Sequence, residues 1–175
     1  MLIGGIEAGG TKMVCAIGET DGSLETEVKI VDRIFVPTKS PEETLPEMIQ
    51  YFQKWDIQTL GIGCFGPVDL NRNSATYGCI TKTPKPGWAY CDIAGAFTNA
   101  LQIPVGFDTD VNGAILGEVV WGAAKGCESA IYITVGTGIG VGVYCNGKLV
   151  HGLVHPEGGD ILLERHPGDD FKGQC

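Results

Sequence analysis

Asp110 stands where chemistry is expected. Residues 103–107, Ile-Pro-Val-Gly-Phe, form a short apolar run that reads as a buried strand. Val111, Ile115 and Val119 then recur every four residues, one stripe of a helix. The run Asp108-Thr109-Asp110 therefore lies where a strand hands over to a helix N-terminus. The free N–H groups and partial positive charge of such a terminus favour an ionised carboxylate. In an open α/β sheet this edge is where ligands bind. An ionised Asp110 there can hold a hydroxyl group and accept its proton. Asp108, Thr109 and Asp110 are equally suited to capping the helix, and a cap needs only one of them.

Two glycine turns suit a phosphate. Glu7-Ala8-Gly9-Gly10-Thr11-Lys12 separates two apolar strands, Leu2–Ile6 and Met13–Ile17, so it reads as a hairpin turn. Gly9 and Gly10 let backbone N–H groups approach a phosphate, while Thr11 and Lys12 add a hydroxyl and a charge. The spacing is not that of a P-loop, and a strand follows where a P-loop has a helix. Gly136-Thr137-Gly138-Ile139-Gly140 repeats the device between strands at 130–135 and 141–145. Two copies suggest two halves that face one ligand. Either turn alone is also a plain β-turn.

The remaining elements position these groups. Val28 to Val36 reads as a strand. Ser40-Pro41-Glu42-Glu43 opens a helix over 41–55, with Ser40 as N-cap and Leu45, Ile49 and Phe52 as its apolar face. Thr59 to Phe65 is a strand that ends in the turn Gly66-Pro67-Val68-Asp69, and Tyr77 to Thr83 reads as another strand. Pro84-Lys85-Pro86-Gly87-Trp88 is a stiff loop with an exposed-looking aromatic, suited to packing on a sugar or over a core edge. Asp92 caps a helix over 93–101. Asn146-Gly147 marks a hairpin, and a polar loop carrying His155, Pro156 and Glu157 follows.

Composition narrows the function. The chain has 175 residues, 43% of them apolar, enough for one domain and part of a second. Its net charge of −9 carries no basic stripe, which argues against a nucleic-acid surface. A bound phosphate must then rely on backbone N–H groups, a few cations and a metal ion. Seven Cys without a CxxC pair argue against a disulfide scaffold. The N-terminus lacks a basic signal-peptide region, and no apolar run is long enough to span a bilayer. The chain reads as cytoplasmic.

EAGGTK, GPVD, TPKPGW, DTDVN, TVGTGIG and HPEGG occur in that order over essentially the whole chain. Together they resemble the ROK family of sugar kinases, its fructokinase-like branch in particular. The resemblance implies an α/β, ribonuclease H-like fold of the actin and hexokinase type. Residues 1–118 would form the N-terminal lobe and 119–175 an incomplete start of the second. It implies Asp110 as catalytic base, with ATP phosphates held by Gly9, Gly10, Thr11, Lys12, Gly136, Thr137, Gly138 and Gly140. Glu157, Gly66, Pro67 and Thr109 would line the sugar pocket. Glu7 would orient water on magnesium. The implied reaction is ATP-dependent phosphorylation of a hexose, D-fructose at its 6-hydroxyl first. Glucose, mannose or an N-acetyl amino sugar is the alternative substrate, and a non-catalytic sugar-binding fragment the alternative role. The partners are sugar and ATP, with no nucleic acid or membrane and a homodimer when intact.

Several positions depart from the family pattern. Glu7 replaces the usual Asp, and Thr109 the usual Asn, which bears on sugar preference. Asp160 stands where the family places a zinc-binding His. Cys175 would be the first Cys of that zinc site, so the site is incomplete and no structural zinc is expected in this chain. Family members continue well beyond this point. A fragment is therefore expected, with little activity and an uncovered apolar face on the strands at 130–145.

Overall fold

The computed structural model describes residues 1–175 except 25, 137, 153, 154, 163, 165 and 172–175. Strands β1 (Leu2–Ala8), β2 (Lys12–Glu19), β3 (Lys29–Pro37), β4 (Ile57–Cys64) and β5 (Val105–Thr109) form one sheet in the order β3-β2-β1-β4-β5. The first three are antiparallel, as the short turn after β1 requires. β1, β4 and β5 run parallel, so their links need crossovers. Helices α1 (Pro41–Phe52) and α2 (Ile93–Leu101) lie on those links.

Strand alternation divides the sheet into two faces. Ile6, Ala8, Met13, Cys15, Ile17, Leu60, Ile62 and Cys64 share the buried face, in one core with Met48, Phe52 and Phe97 of the helices. Gly5, Glu7, Gly61, Gly63 and Asp108 share the other. The parallel register sets Glu7 beside Gly63, and Gly63 beside Asp108. Helix α3 (Asp110–Val120) crosses this second face at Gly63, where a Cβ would stand 3.3 Å from Asp110 Cα. Only glycine permits that approach without a shift.

The far side of α3 carries a second, antiparallel sheet of β6 (Ser129–Val135), β7 (Ile139–Cys145) and β8 (Lys148–Leu149). Gly140 and Gly142 of β7 meet Val111 and Ile115 of the helix. The alternate residues Ile131, Ile133 and Val135 are 64%, 60% and 77% exposed, so the outer face of β6 is apolar and uncovered.

Four local expectations are corrected. Residues 77–83 form no strand; they take part only in the single bridges Val68–Ile80 and Cys79–Asp92, within turns. Gly78, at φ +86°, turns the backbone out of the extended region there. Trp88 is fully buried: its Nε1–H donates to the Lys39 carbonyl at 2.7 Å, and its ring meets Phe65 edge-on. Helix α1 ends at Phe52, and its buried stripe is Thr44, Met48, Tyr51 and Phe52, with Leu45 and Ile49 half-buried. Packing against both α2 and β3 selects that face. Ser40 makes no side-chain cap bond, because its hydroxyl is turned toward Glu43 Oε2, 3.4 Å away. By contrast Asp92 caps α2, Oδ1 accepting from the Gly95 N–H at 2.8 Å.

The six described cysteines are free. Burial pushes the Cys15 thiol up to about 12 and raises that of Cys64, which makes them inert core residues.

Candidate active site

The β5–α3 junction assigns each polar residue of the Asp108-Thr109-Asp110 run. Thr109, 4% exposed, is the cap: its Oγ1 accepts from the Asn112 N–H at 3.1 Å. Its hydroxyl oxygen thus satisfies a first-turn N–H of the helix. Asp108 Oδ1 accepts from the Thr109 N–H at 2.7 Å and from Asn112 Nδ2 at 2.8 Å, and Oδ2 pairs with His151 Nε2 at 2.7 Å. Among the described residues Asp110 accepts one bond, from the Val111 N–H to Oδ1 at 2.8 Å. The carboxylate at the helix tip is therefore relieved of capping.

The electrostatic expectation for Asp110 is corrected in sign. Burial raises its pKa above the ordinary Asp value and outweighs the lowering by the Val111 N–H; the charges of Glu7 and Glu157 raise it further. Desolvation thus dominates the helix terminus. The same interactions locate Glu7 and Glu157 electrostatically near Asp110. Glu7 arrives from β1 by register, on the face that α3 crosses.

Glu157 comes from the far end of the chain. It precedes a 3₁₀ turn (Gly158–Asp160) that lies on β7, where a Cβ on Gly159 would fall 1.8 Å from the Ile139 carbonyl oxygen. Glu157 Oε1 lies 3.2 Å from His155 Nδ1, and His155 Nε2 accepts the Val68 N–H at 3.2 Å. Gly66 and Pro67, joined by a cis peptide bond, precede Val68. A Cβ on Gly66 would stand 3.4 Å from Glu157 Oε1 and from His155 Cε1. Gly66 and Glu157, 91 positions apart, thus line one recess. The sequence places His155 in the polar loop and in the HPEGG run without assigning it a role, since its partner Val68 is distant in the chain.

The first glycine turn is braced from outside. Gly9 N–H bonds to the Lys12 carbonyl at 3.1 Å, and Thr38 Oγ1 donates to the Gly9 carbonyl at 2.7 Å. Thr11 accepts from the Thr38 N–H at 3.0 Å through its carbonyl. Lys12 lies over the Phe35 ring, its Nζ 5.2 Å from the centroid, while Lys85 Nζ bonds to the Gly10 carbonyl. Lys85 of the stiff loop therefore sets an ammonium beside this turn, which sequence reasoning had not assigned. In the second turn Gly136 N–H bonds to the Gly138 carbonyl at 2.9 Å. Gly140 belongs to β7 and packs on Val111, next to Asp110. Thr137 and Cys175 lie outside the described residues.

The ROK family profile matches residues 3–175. The chain belongs to that family. It is 53% identical over 174 residues to a Bacillus subtilis (strain 168) protein with a provisional fructokinase name, covering 99% of this chain and 56% of that protein. It is 45% identical over 175 residues to a fructokinase of Pediococcus pentosaceus, covering 100% of this chain and 59% of the relative. The chain thus spans rather more than half the length of these curated relatives. Among solved structures, a ROK family glucokinase from Streptomyces griseus in complex with glucose and AMPPNP superimposes with TM-score 0.75 at 27% identity. That match covers 92% of this chain and 50% of the glucokinase. The two-sheet α/β architecture is that of the N-terminal part of ROK sugar kinases, an actin- and hexokinase-like fold.

The ROK chain's carboxylates also bear on a metal. Glu7, Asp110 and Glu157 bring like charges together, an arrangement that a hard divalent cation with oxygen ligands would relieve. Among the described residues no three His, Cys, Asp or Glu side chains are placed to enclose a metal by themselves. The clustered carboxylates themselves suit a hard cation. No described helix is long and apolar enough to cross a membrane.

Proposed function

We propose that the protein transfers the γ-phosphoryl group of ATP to a hexose, D-fructose at its 6-hydroxyl first. One observation carries this reading: the Asp110 carboxylate is relieved of capping by Thr109 and lies within the electrostatic reach of Glu7 and Glu157. The relatives with fructokinase names support the same substrate.

Asp110 orients the sugar hydroxyl and takes its proton. Its raised pKa makes it a better proton acceptor, and phosphoryl transfer asks mainly for positioning and charge neutralisation. Glu157 holds sugar hydroxyls, with Gly66 and Pro67 forming the wall opposite and Thr109 fixing the helix behind Asp110. Gly9, Gly10, Thr11 and Lys12, and Gly136, Thr137, Gly138 and Gly140, serve the phosphates. Magnesium, when bound, neutralises charge on the phosphate oxygens, and Glu7 orients one of its waters. Residues 1–118 form the lobe that carries Asp110, and 119–175 begin the second lobe. We propose a cytoplasmic homodimer for the whole protein.

A coupled ADP-release assay on the full-length protein, with D-fructose, glucose, mannose and N-acetylmannosamine, tests the reading. Turnover highest with fructose is expected. Preference for another hexose overturns the fructose assignment, and no ADP release with any of them overturns the kinase.

A further inference from the structure

We infer that His155 is a positioning residue that presets the Glu157 carboxylate for the sugar, acting in its Nδ1–H tautomer. The inference rests on the sugar-kinase reading above, because it concerns how Glu157 meets its ligand.

The tautomer follows from the partners. The Val68 N–H is a donor, so His155 Nε2, 3.2 Å away, must present a lone pair. The proton of the neutral ring is then on Nδ1. That nitrogen lies 3.2 Å from Glu157 Oε1, so the ring proton is on the side of the carboxylate. A proton on Nε2 would set two donors against each other at Val68. The ring is almost wholly enclosed, its side chain 5% exposed, so water cannot readily take over either bond.

Glu157 needs such a support. Its side chain is 51% exposed and would otherwise sample several rotamers. Its backbone lies in the left-handed region, at φ 44° and ψ 44°, which a residue with a Cβ adopts only when its surroundings hold it there. The glycines after it seat the turn on β7, and His155 ties it to the Gly66-Pro67-Val68 turn of the other sheet's domain. With Oε1 held beside Nδ1, Oε2 remains to accept a sugar hydroxyl in one orientation. His155 therefore links two segments 87 positions apart and orders the carboxylate before the sugar arrives.

Two isosteric variants separate the two bonds. His155→Gln sets an amide oxygen near the position of Nε2, keeping the Val68 bond and losing the donor to Glu157. His155→Asn sets an amide nitrogen near the position of Nδ1, keeping the donor and losing the acceptor. In the full-length protein His155→Gln should raise the KM for the preferred hexose roughly tenfold, the effect of one charge-assisted hydrogen bond. Its kcat, its KM for ATP and its melting temperature should stay near wild type. His155→Asn should lower the melting temperature and leave the hexose KM within about twofold, since the surviving bond is the one that orients Glu157. A hexose KM unchanged in His155→Gln, or raised equally in both variants, overturns the inference. Nitrogen-15 spectra of the imidazole give a readout independent of turnover: Nδ1 protonated and Nε2 unprotonated is expected, and the reverse overturns the inference. If the wild-type protein phosphorylates no hexose, the kinase reading fails, while the spectra still decide the tautomer.

Discussion

Gly63→Ala tests how finely the sheet positions Asp110. The added Cβ would stand 3.3 Å from Asp110 Cα and 3.5 Å from the Thr109 carbonyl oxygen. Carbon–carbon contacts settle at about 3.5–4.0 Å, so the first turn of α3 must retreat by roughly 0.2–0.7 Å. Misplacement by about 1 Å can cost about 100-fold in rate. Scaled on a logarithm, the retreat predicts a loss in kcat/KM of about 3- to 25-fold, or about 0.6–1.9 kcal/mol at 1.36 kcal/mol per decade. Gly61→Ala is the matched control: it shares the strand and the face, and its Cβ meets nothing within 4 Å. That variant should keep full turnover and gain up to about 1 kcal/mol by restricting the unfolded chain. Steady-state ADP release by the full-length variants, with thermal melts of each, provides the comparison. If Gly63→Ala matched Gly61→Ala in both rate and stability, close approach at Gly63 would not be what positions Asp110.

Asp110→Asn should lower turnover by about 10²–10⁴-fold in the same assay. Because burial raises the Asp110 pKa, the folded state binds more protons between the unfolded and folded pKa values, and stability falls as pH rises through that window. The Asn variant should therefore melt above wild type at pH 7, with the gain vanishing below the ordinary Asp value of about 3.9; a lower melting temperature at pH 7 would contradict the burial account. Asp92→Ala should cost about 1 kcal/mol in denaturant titrations, and Ser40→Ala less than about 0.5, because only Asp92 makes a side-chain cap bond. The reverse ranking would mean the caps are misassigned. Trp88→Ala should cost about 3–5 kcal/mol, since it empties a fully enclosed site; a loss under about 1 kcal/mol would mean that the loop closes over the gap.

Local pattern alone determined much of this chain. The two strands around Gly9 and Gly10, the Asp92-capped helix and the handover from β5 to α3 follow from periodicities of 2 and 3.6 and from turn chemistry, which act within a few residues. The ordered motifs sufficed for the family and hence for the fold. Residues 77–83 misled because their β-forming side chains say nothing of Gly78's backbone, and Trp88 because a loop position does not reveal what packs over it. At the junction, composition nominated three possible caps, and only the packed helix chose Thr109. Charge near a helix tip argued for an easily ionised Asp110, whereas burial, and the approach of Glu7 and Glu157 from distant parts of the chain, set the opposite sign. Lys85 at Gly10 and His155 at Val68 are contacts across 75 and 87 positions. Desolvation and such long-range contacts exist only once the sheets and α3 have packed, so they could come from the tertiary structure alone.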